Sequence, residues 1–160
     1  MTSLENLSHE DRSFAPSAQF VAQANAKPEL FADAERDRLG FWAKQAEALT
    51  WNKKWDQVLD WQVPFAKWFV GGKLNAAYNC LDRHVLEGRG DRVAFYFEGE
   101  PGDSRKITYK DMLAEVSKCA NALTQLGIKA GDRVAIYMPM IPEAAVAMLA
   151  CARIGAAHSV

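Results

Sequence analysis

Apolar positions change their spacing along the chain, and the change divides it. Residues 1–15 show no periodicity and are expected to be loose. Pro16-Ser17 opens a short helix through Ala26, with Phe20 and Val21 as its apolar positions. Lys27-Pro28 ends it, because proline disfavours a helical conformation in the residue before it. From Glu29 to Leu49 the apolar residues Leu30, Phe31, Ala34, Leu39, Phe41, Trp42, Ala46 and Leu49 recur mostly at three- and four-residue steps, which predicts one long helix. Between Thr50 and Pro64 tryptophans and charges alternate without a clear period, which reads as an ordered but irregular stretch lying against something larger. Gly71-Gly72 punctuates the chain after Trp68-Phe69-Val70. A helix is expected from Asn75 to Leu86, with Ala77, Leu81 and Val85 on one face and Gly88 and Gly90 at its end.

Strands and helices then alternate. Arg92–Phe97 and Arg105–Thr108 read as strands joined by a turn rich in Gly, Pro and Asp. Thr108 is placed to cap the next helix, with Asp111 three residues on as its capping-box partner. That helix carries Met112, Leu113, Val116, Ala120, Leu123 and Leu126 down one face, and Gly127 stops it. Arg133–Met138 (strand), Pro142–Ile154 (helix) and Ala156 onward (strand) complete a strand–crossover–strand unit, which argues for a parallel sheet and the α/β class. Two parallel strands leave open edges and an uncovered face. The chain is therefore expected to be a helical and irregular Trp-rich region followed by the incomplete first part of an α/β domain.

Composition supports this and excludes several classes. The chain has 160 residues, 49% of them apolar and 24% charged, ordinary values for a folded protein. The 19 basic and 20 acidic side chains nearly cancel and are spread evenly, so no basic stripe offers itself to a nucleic acid. The polar, acidic start lacks the positive and then apolar pattern of a signal peptide. The longest apolar run, Ala144–Ala152, is far short of the roughly 20 residues that span a bilayer. Cys80, Cys119 and Cys151 are an odd, widely spaced set, which fits reduced thiols and a cytoplasmic location. All five tryptophans (Trp42, Trp51, Trp55, Trp61, Trp68) fall within 27 residues, and the chain stops where an apolar strand begins. Both features suggest a piece of a longer protein.

Residue by residue, no catalytic constellation emerges. Gly71-Gly72-Lys73 ends like a phosphate-binding P-loop, but Lys67 stands at the required earlier glycine and Leu74 at the required Ser or Thr. A tight turn is the better reading. Gly88-Arg89-Gly90 has Val93 at the third glycine position and lies between a helix and a strand, the reverse of the dinucleotide order. Pro139-Met140-Ile141-Pro142, the strand–helix turn that would hold a dinucleotide, has no glycine. Cys80 and His84 share a helical face, which invites comparison with a Cys–His dyad, yet no orienting partner is evident and a core thiol is favoured. Cys119, Cys151 and His158 lack the close ligand pairs of a zinc site. Asp33, Glu35 and Asp37, interleaved with Arg36 and Arg38, read as a solvated, salt-bridged face. The tryptophans read as anchors of one segment onto another.

Two stretches resemble a known family. Trp68-Phe69-Val70-Gly71-Gly72-Lys73-Leu74-Asn75-Ala76-Ala77-Tyr78-Asn79-Cys80-Leu81-Asp82-Arg83-His84 resembles the signature W-F-x-G-G-x-L-N-x-x-x-N-C-x-D-R-H of the N-terminal region of AMP-forming acetyl-CoA synthetases. Gly131–Glu143 and Ala150–Val160 resemble the early adenylating domain of the same enzymes, and Lys106-Ile107-Thr108-Tyr109 with its following helix fits between them. The resemblance covers Trp42 to Val160. Cys80 favours acetyl- over propionyl-CoA synthetases, and acetoacetyl-CoA synthetases are less similar around Gly71-Gly72.

The resemblance implies a two-step ligase. Acetate attacks the α-phosphate of ATP to give acetyl-adenylate and diphosphate, and the thiol of coenzyme A then displaces AMP. Mg²⁺ and cationic groups would stabilise the phosphate charge. The family's triphosphate-gripping loop, ribose-binding motif and catalytic lysine have no counterpart in residues 1–160, and its glycine-rich coenzyme A segment would begin beyond Val160. No catalytic, cofactor-binding or metal-binding residue is therefore expected here. Residues 1–82 would be the accessory region and 83–160 the start of the AMP-binding domain, an inactive scaffold whose partner is the remainder of that domain. Acetate, ATP and coenzyme A would be substrates of the parent enzyme, with no nucleic acid or membrane involved. The alternatives are a stand-alone interaction module docking through its Trp-rich face, a propionyl-CoA synthetase fragment, and self-association through open strand edges.

Overall fold

A computed structural model describes residues 12–160, so most of the stretch expected to be loose lies outside the described residues. The chain divides into two compact units, one up to Ala43 and one from Lys44 to Val160. In the first, α1 (Ala18–Gln23) starts on Ser17, whose hydroxyl accepts the Phe20 N–H. The long helix expected from Glu29 to Leu49 is two helices, α2 (Pro28–Arg36) and α3 (Arg38–Ala46). Asp37 makes the break. Its backbone leaves the helical region (φ −143°, ψ 83°), and its carboxylate accepts the Gly40 N–H at 2.9 Å. The apolar period runs through this point, but a side chain able to cap overrides it.

In the second unit the stretch read as irregular contains a strand. β1 (Gln57–Gln62) pairs antiparallel with β2 (Phe65–Val70) through a cis Val63–Pro64 turn. Leu59 faces Trp68 and Trp61 faces Ala66, so the apolar alternation has period two once its partner strand is known. Trp55 packs edge to face on both Trp51 and Phe69, which meet each other at a tilt, with ring centroids 5.0–5.7 Å apart. That cluster holds Phe69 at φ 51°, a left-handed conformation that costs a β-carbon residue on the order of 1–3 kcal/mol. Residues 76–89 form a helical run with wide π-type turns at Tyr78–Asp82 and Val85–Arg89, broken at Gly88, whose left-handed backbone (φ 79°, ψ 15°) makes the kink expected at the helix end. Ala77 and Leu81 of the expected apolar face are buried.

The β3 (Val93–Glu98) and β4 (Ser104–Thr108) hairpin forms as expected, with a bulge between Val93 and Phe95. α4 (Tyr109–Gln125) begins with the full capping box of Thr108 and Asp111. β5 is shorter than expected, Arg133–Ala135. It lies parallel to β6 (Ala157–Ser159), with α5 (Pro142–Ile154) as the crossover. Their ladder ends where the Ile136 N–H donates to the Ser159 carbonyl. The core is the seam of α4, α5, β4 and the 76–89 helix: Leu81, Ile107, Met112, Val116, Ala120, Val146 and Ala150. Among the described residues there are three two-stranded sheets, and no helix is long and apolar enough to cross a membrane. The architecture is α/β.

The join of α5 to β6 is tightly specified. Gly155 (φ 80°) closes the helix as a Schellman motif: its N–H donates to the Ala152 carbonyl and the Ala156 N–H to the Cys151 carbonyl. An added Cβ at Gly155 would also sit 3.2 Å from Ala130 Cβ.

Urea unfolding of the chain separates the effects of three substitutions. Met112 is fully buried, so Met112→Ala should cost about 2–5 kcal/mol, whereas Thr108→Ala should cost about 1 kcal/mol through the lost cap. The Asp111 carboxylate accepts from the Thr108 hydroxyl and N–H, which holds its pKa below the ordinary range. Its stabilisation is present above the unfolded carboxylate range and lost as pH falls through the lower native value. Asp111→Asn should therefore be destabilising at neutral pH, with the gap to the parent closing on acidification.

Candidate functional site

The 76–89 helix and the residue just before it carry a row of polar side chains at steps of four, three and one: Asn75, Asn79, Asp82 and Arg83. That spacing makes two neighbouring rows, Asn75 with Asp82 facing α5 and Asn79 with Arg83 facing residues 48–50. Asn75 accepts the Tyr78 N–H at 3.1 Å, opening its own helix, and donates to the Arg153 carbonyl at 2.9 Å and the Ala152 carbonyl at 3.4 Å, closing α5. Asn79 is buried and brackets Thr50, accepting its N–H at 2.8 Å and donating to its carbonyl at 2.9 Å. Asp82 and Arg153 form a bidentate pair at 2.7 Å on both arms. Arg83 donates to the Asn79 carbonyl at 2.8 Å and to the Ala48 carbonyl at 2.6 Å, just past α3.

These contacts tie residues 48–50 and the last turn of α5 to one helix. Asp82 and Arg153 are largely buried, and the carboxylate raises the guanidinium pKa against the opposing effect of burial. A cavity of about 420 Å³ with a mixed polar and apolar wall lies beside them, lined by Thr50, Asn52, Asn75, Tyr78, Asp82 and Arg153. The apolar spacing of this helix foretold its buried face but not this polar one. The available signal was the four-residue step from Asn75 to Asn79, continued by Asp82 and Arg83.

A second cavity, about 620 Å³ and mostly apolar, opens beside the same helix, with Leu81, Phe95, Ala145, Met148 and Leu149 among its walls and Cys80 and His84 at its edge. Cys80 is exposed, and no hydrogen bond joins it to His84. The His84 ring instead packs on Tyr109 at 5.1 Å, with Nδ1 2.6 Å from the Arg89 guanidinium. Partial burial, then the charges of Arg83 and Arg89, lower the His84 pKa. The arrangement disfavours the imidazolium that a thiolate partner needs.

The other candidates are accounted for by local structure. Lys73 exchanges backbone bonds with Lys53, and the Gly72 N–H donates to the Phe69 carbonyl. An added Cβ at Gly71 would lie 2.0 Å from Asp56 Oδ2, and one at Gly72 would lie 2.6 Å from the Trp51 ring. The Asp56 carboxylate and the Trp51 indole pack against these two glycines, so the Gly71-Gly72 segment is a packed turn. Gly88 (φ 79°) lies inside the helical run, and the Gly90 carbonyl accepts the Lys110 N–H. At the 139–142 turn the start of α5 carries Glu143, paired with Arg105 at 2.8 Å, which lowers the Glu143 pKa. Asp33 pairs with Arg36 at 2.5 Å, both exposed. Cys151 is buried on α5, Cys119 half-buried on α4 and His158 exposed on β6. Among the described residues no group of three or more His, Cys, Asp and Glu is placed to hold a metal ion.

Burial, then the neighbouring Cys119, pushes the Cys151 thiol pKa up. A disulfide reagent at neutral pH should therefore label Cys80 first, Cys119 more slowly, and Cys151 only after denaturation, as mass spectrometry of timed digests would read.

Comparison with known proteins places this geometry. Residues 81–160, half of the chain, match the family model described as AMP-binding enzyme, and residues 28–80 match that of the acetyl-coenzyme A synthetase N-terminus. An acetyl-coenzyme A synthetase of Streptomyces avermitilis is 65% identical over 159 residues, covering 99% of this chain and 24% of the relative. One of Mycobacterium tuberculosis is 65% identical over 150 residues, covering 92% and 23%. One of Gemmatimonas aurantiaca is 52% identical over 161 residues, covering 100% and 25%. The chain thus spans about a quarter of the length of the curated relatives it matches. The polar bonds of the 76–89 helix cross the join of the two family segments, with Asn75 in the first reaching Arg153 in the second. On the match over half its length, the chain belongs to the AMP-binding enzyme family.

Proposed function

We propose that the chain is the N-terminal part of an acetate–CoA ligase that joins acetate to coenzyme A through an acetyl-adenylate, with AMP and diphosphate released from ATP. Residues 1–82 are read as the accessory region and 83–160 as the opening of the AMP-binding domain, acting in the cytoplasm. The observation that carries this reading is identity of 52–65% to acetyl-coenzyme A synthetases across nearly the whole chain. The structure gives it a physical sense. Asn75, Asn79, Asp82 and Arg83 of the resembling stretch bond to other parts of the chain, which supports a part for them in building the scaffold, with acetate, ATP and coenzyme A engaged by the remainder of the domain. The ligase would use Mg²⁺, but the described residues gather no group of three or more His, Cys, Asp and Glu placed to hold it.

The test is a chimera in which residues 1–160 replace the matching segment of the Streptomyces avermitilis enzyme. Acetate-dependent ATP–diphosphate exchange should be present in the chimera and absent from the 160-residue chain alone. A soluble, monodisperse chimera without exchange, or exchange by the chain alone, would contradict the proposal.

A further inference from the structure

The join between α5 and β6 is held more firmly than a surface turn requires. The Arg153 carbonyl is bonded by Asn75, its guanidinium is forked onto Asp82, and Gly155 closes the helix in a Schellman motif two residues further on. Three residues of β6 follow directly. Their ladder to β5 starts where the Ala157 N–H donates to the Asp132 carbonyl and ends at the Ile136–Ser159 bond. Asn75 and Asp82 are both more than 70 residues away in sequence; Asn75 lies in the first matched family segment, and Asp82 lies at the very start of the second, beside the join. A Schellman motif alone would end the helix. The added fork fixes its rotation as well, because a planar guanidinium meets a carboxylate in one orientation. In open α/β sheets ligands bind outside the carboxyl ends of the strands. Whatever sets the lie of β6 therefore sets the position of groups at its carboxyl end.

We propose that Asn75, Asp82 and Arg153 form a positioning clamp for the carboxyl edge of the β5–β6 pair, through which the accessory segment controls the affinity of the ligase for a nucleotide-bearing substrate, ATP or coenzyme A. None of the three touches substrate; they act through β6. The nucleotide part rests on the ligase reading above, whereas the action on β6 does not.

The experiment has two arms. In the 160-residue chain, hydrogen exchange is measured at the Ala157 and Ile136 amides in the parent, Asp82→Asn and Asn75→Ser. Both variants should speed exchange there while the β3–β4 amides hold their protection. Unchanged exchange at β6 would overturn the clamp whether or not the ligase reading stands, and a uniform rise across the unit would reduce the three residues to general stability. In the Streptomyces chimera, the same substitutions should raise KM for ATP or coenzyme A roughly tenfold or more, with KM for acetate unchanged and kcat little affected. Arg153→Lys, which keeps the charge and loses the fork, should fall on the same side. A fall in kcat alone, or equal rises in all three KM values, would overturn the positioning role. An inactive unsubstituted chimera would count against the ligase reading, leaving the clamp to be decided by exchange at β6.

Discussion

The structure from Lys44 onward depends on one bidentate ion pair and the amide beside it. Asp82 and Arg153 are 71 residues apart in sequence, and no local preference brings them together. Once paired, they pin the last turn of α5 to the 76–89 helix, and Asn75 caps the carbonyls that the turn exposes. The pair sits between two regimes. A fully solvated pair contributes little because water screens it, and a fully buried one loses much of its attraction to desolvation. Here the carboxylate is 16% and the guanidinium 28% exposed, and the fork geometry is satisfied on both arms. Such a contact contributes orientation as much as energy.

The apolar core works with this contact. Met112, Val116 and Ala120 of α4 interleave with Val146 and Ala150 of α5, and Leu81 completes the seam from the 76–89 helix. Hydrophobic contact is indifferent to small rotations of a helix about its axis. Directional polar bonds are not, so the seam sets which elements meet and the polar row sets how they are turned. The exposed aromatic residues Tyr137 and Tyr96 and the exposed Met140 and Leu86 lie outside that seam.

Much of this was legible in the chain itself, for physical reasons that differ by element. The capping box at Thr108 and Asp111 is encoded within four residues, and the crossover helix between Pro142 and Gly155 carries its own start and stop signals. Elements whose cause is distant in sequence were hidden. β1 could not be recognised until residues 65–70 were known to lie beside it, because its alternation is blurred by the adjacent apolar pair Val58-Leu59 and framed by irregular tryptophans. The break at Asp37 was hidden for the opposite reason: a carboxylate on a helical face reads equally as a solvated residue or a cap. The family resemblance located the 68–84 stretch, but the partners of Asn75, Asn79 and Asp82 became visible only in three dimensions, since each reaches a backbone or charge in another element.

The central claim is that Asp82 and Arg153 act on one another as a unit that holds two segments together. A double-mutant cycle measures this directly, using the unfolding free energies of the parent, Asp82→Asn, Arg153→Leu and the double variant. The account predicts a favourable coupling of about 1 kcal/mol or more, above what an exposed pair gives. A coupling indistinguishable from zero, with the two single losses simply adding, would contradict it.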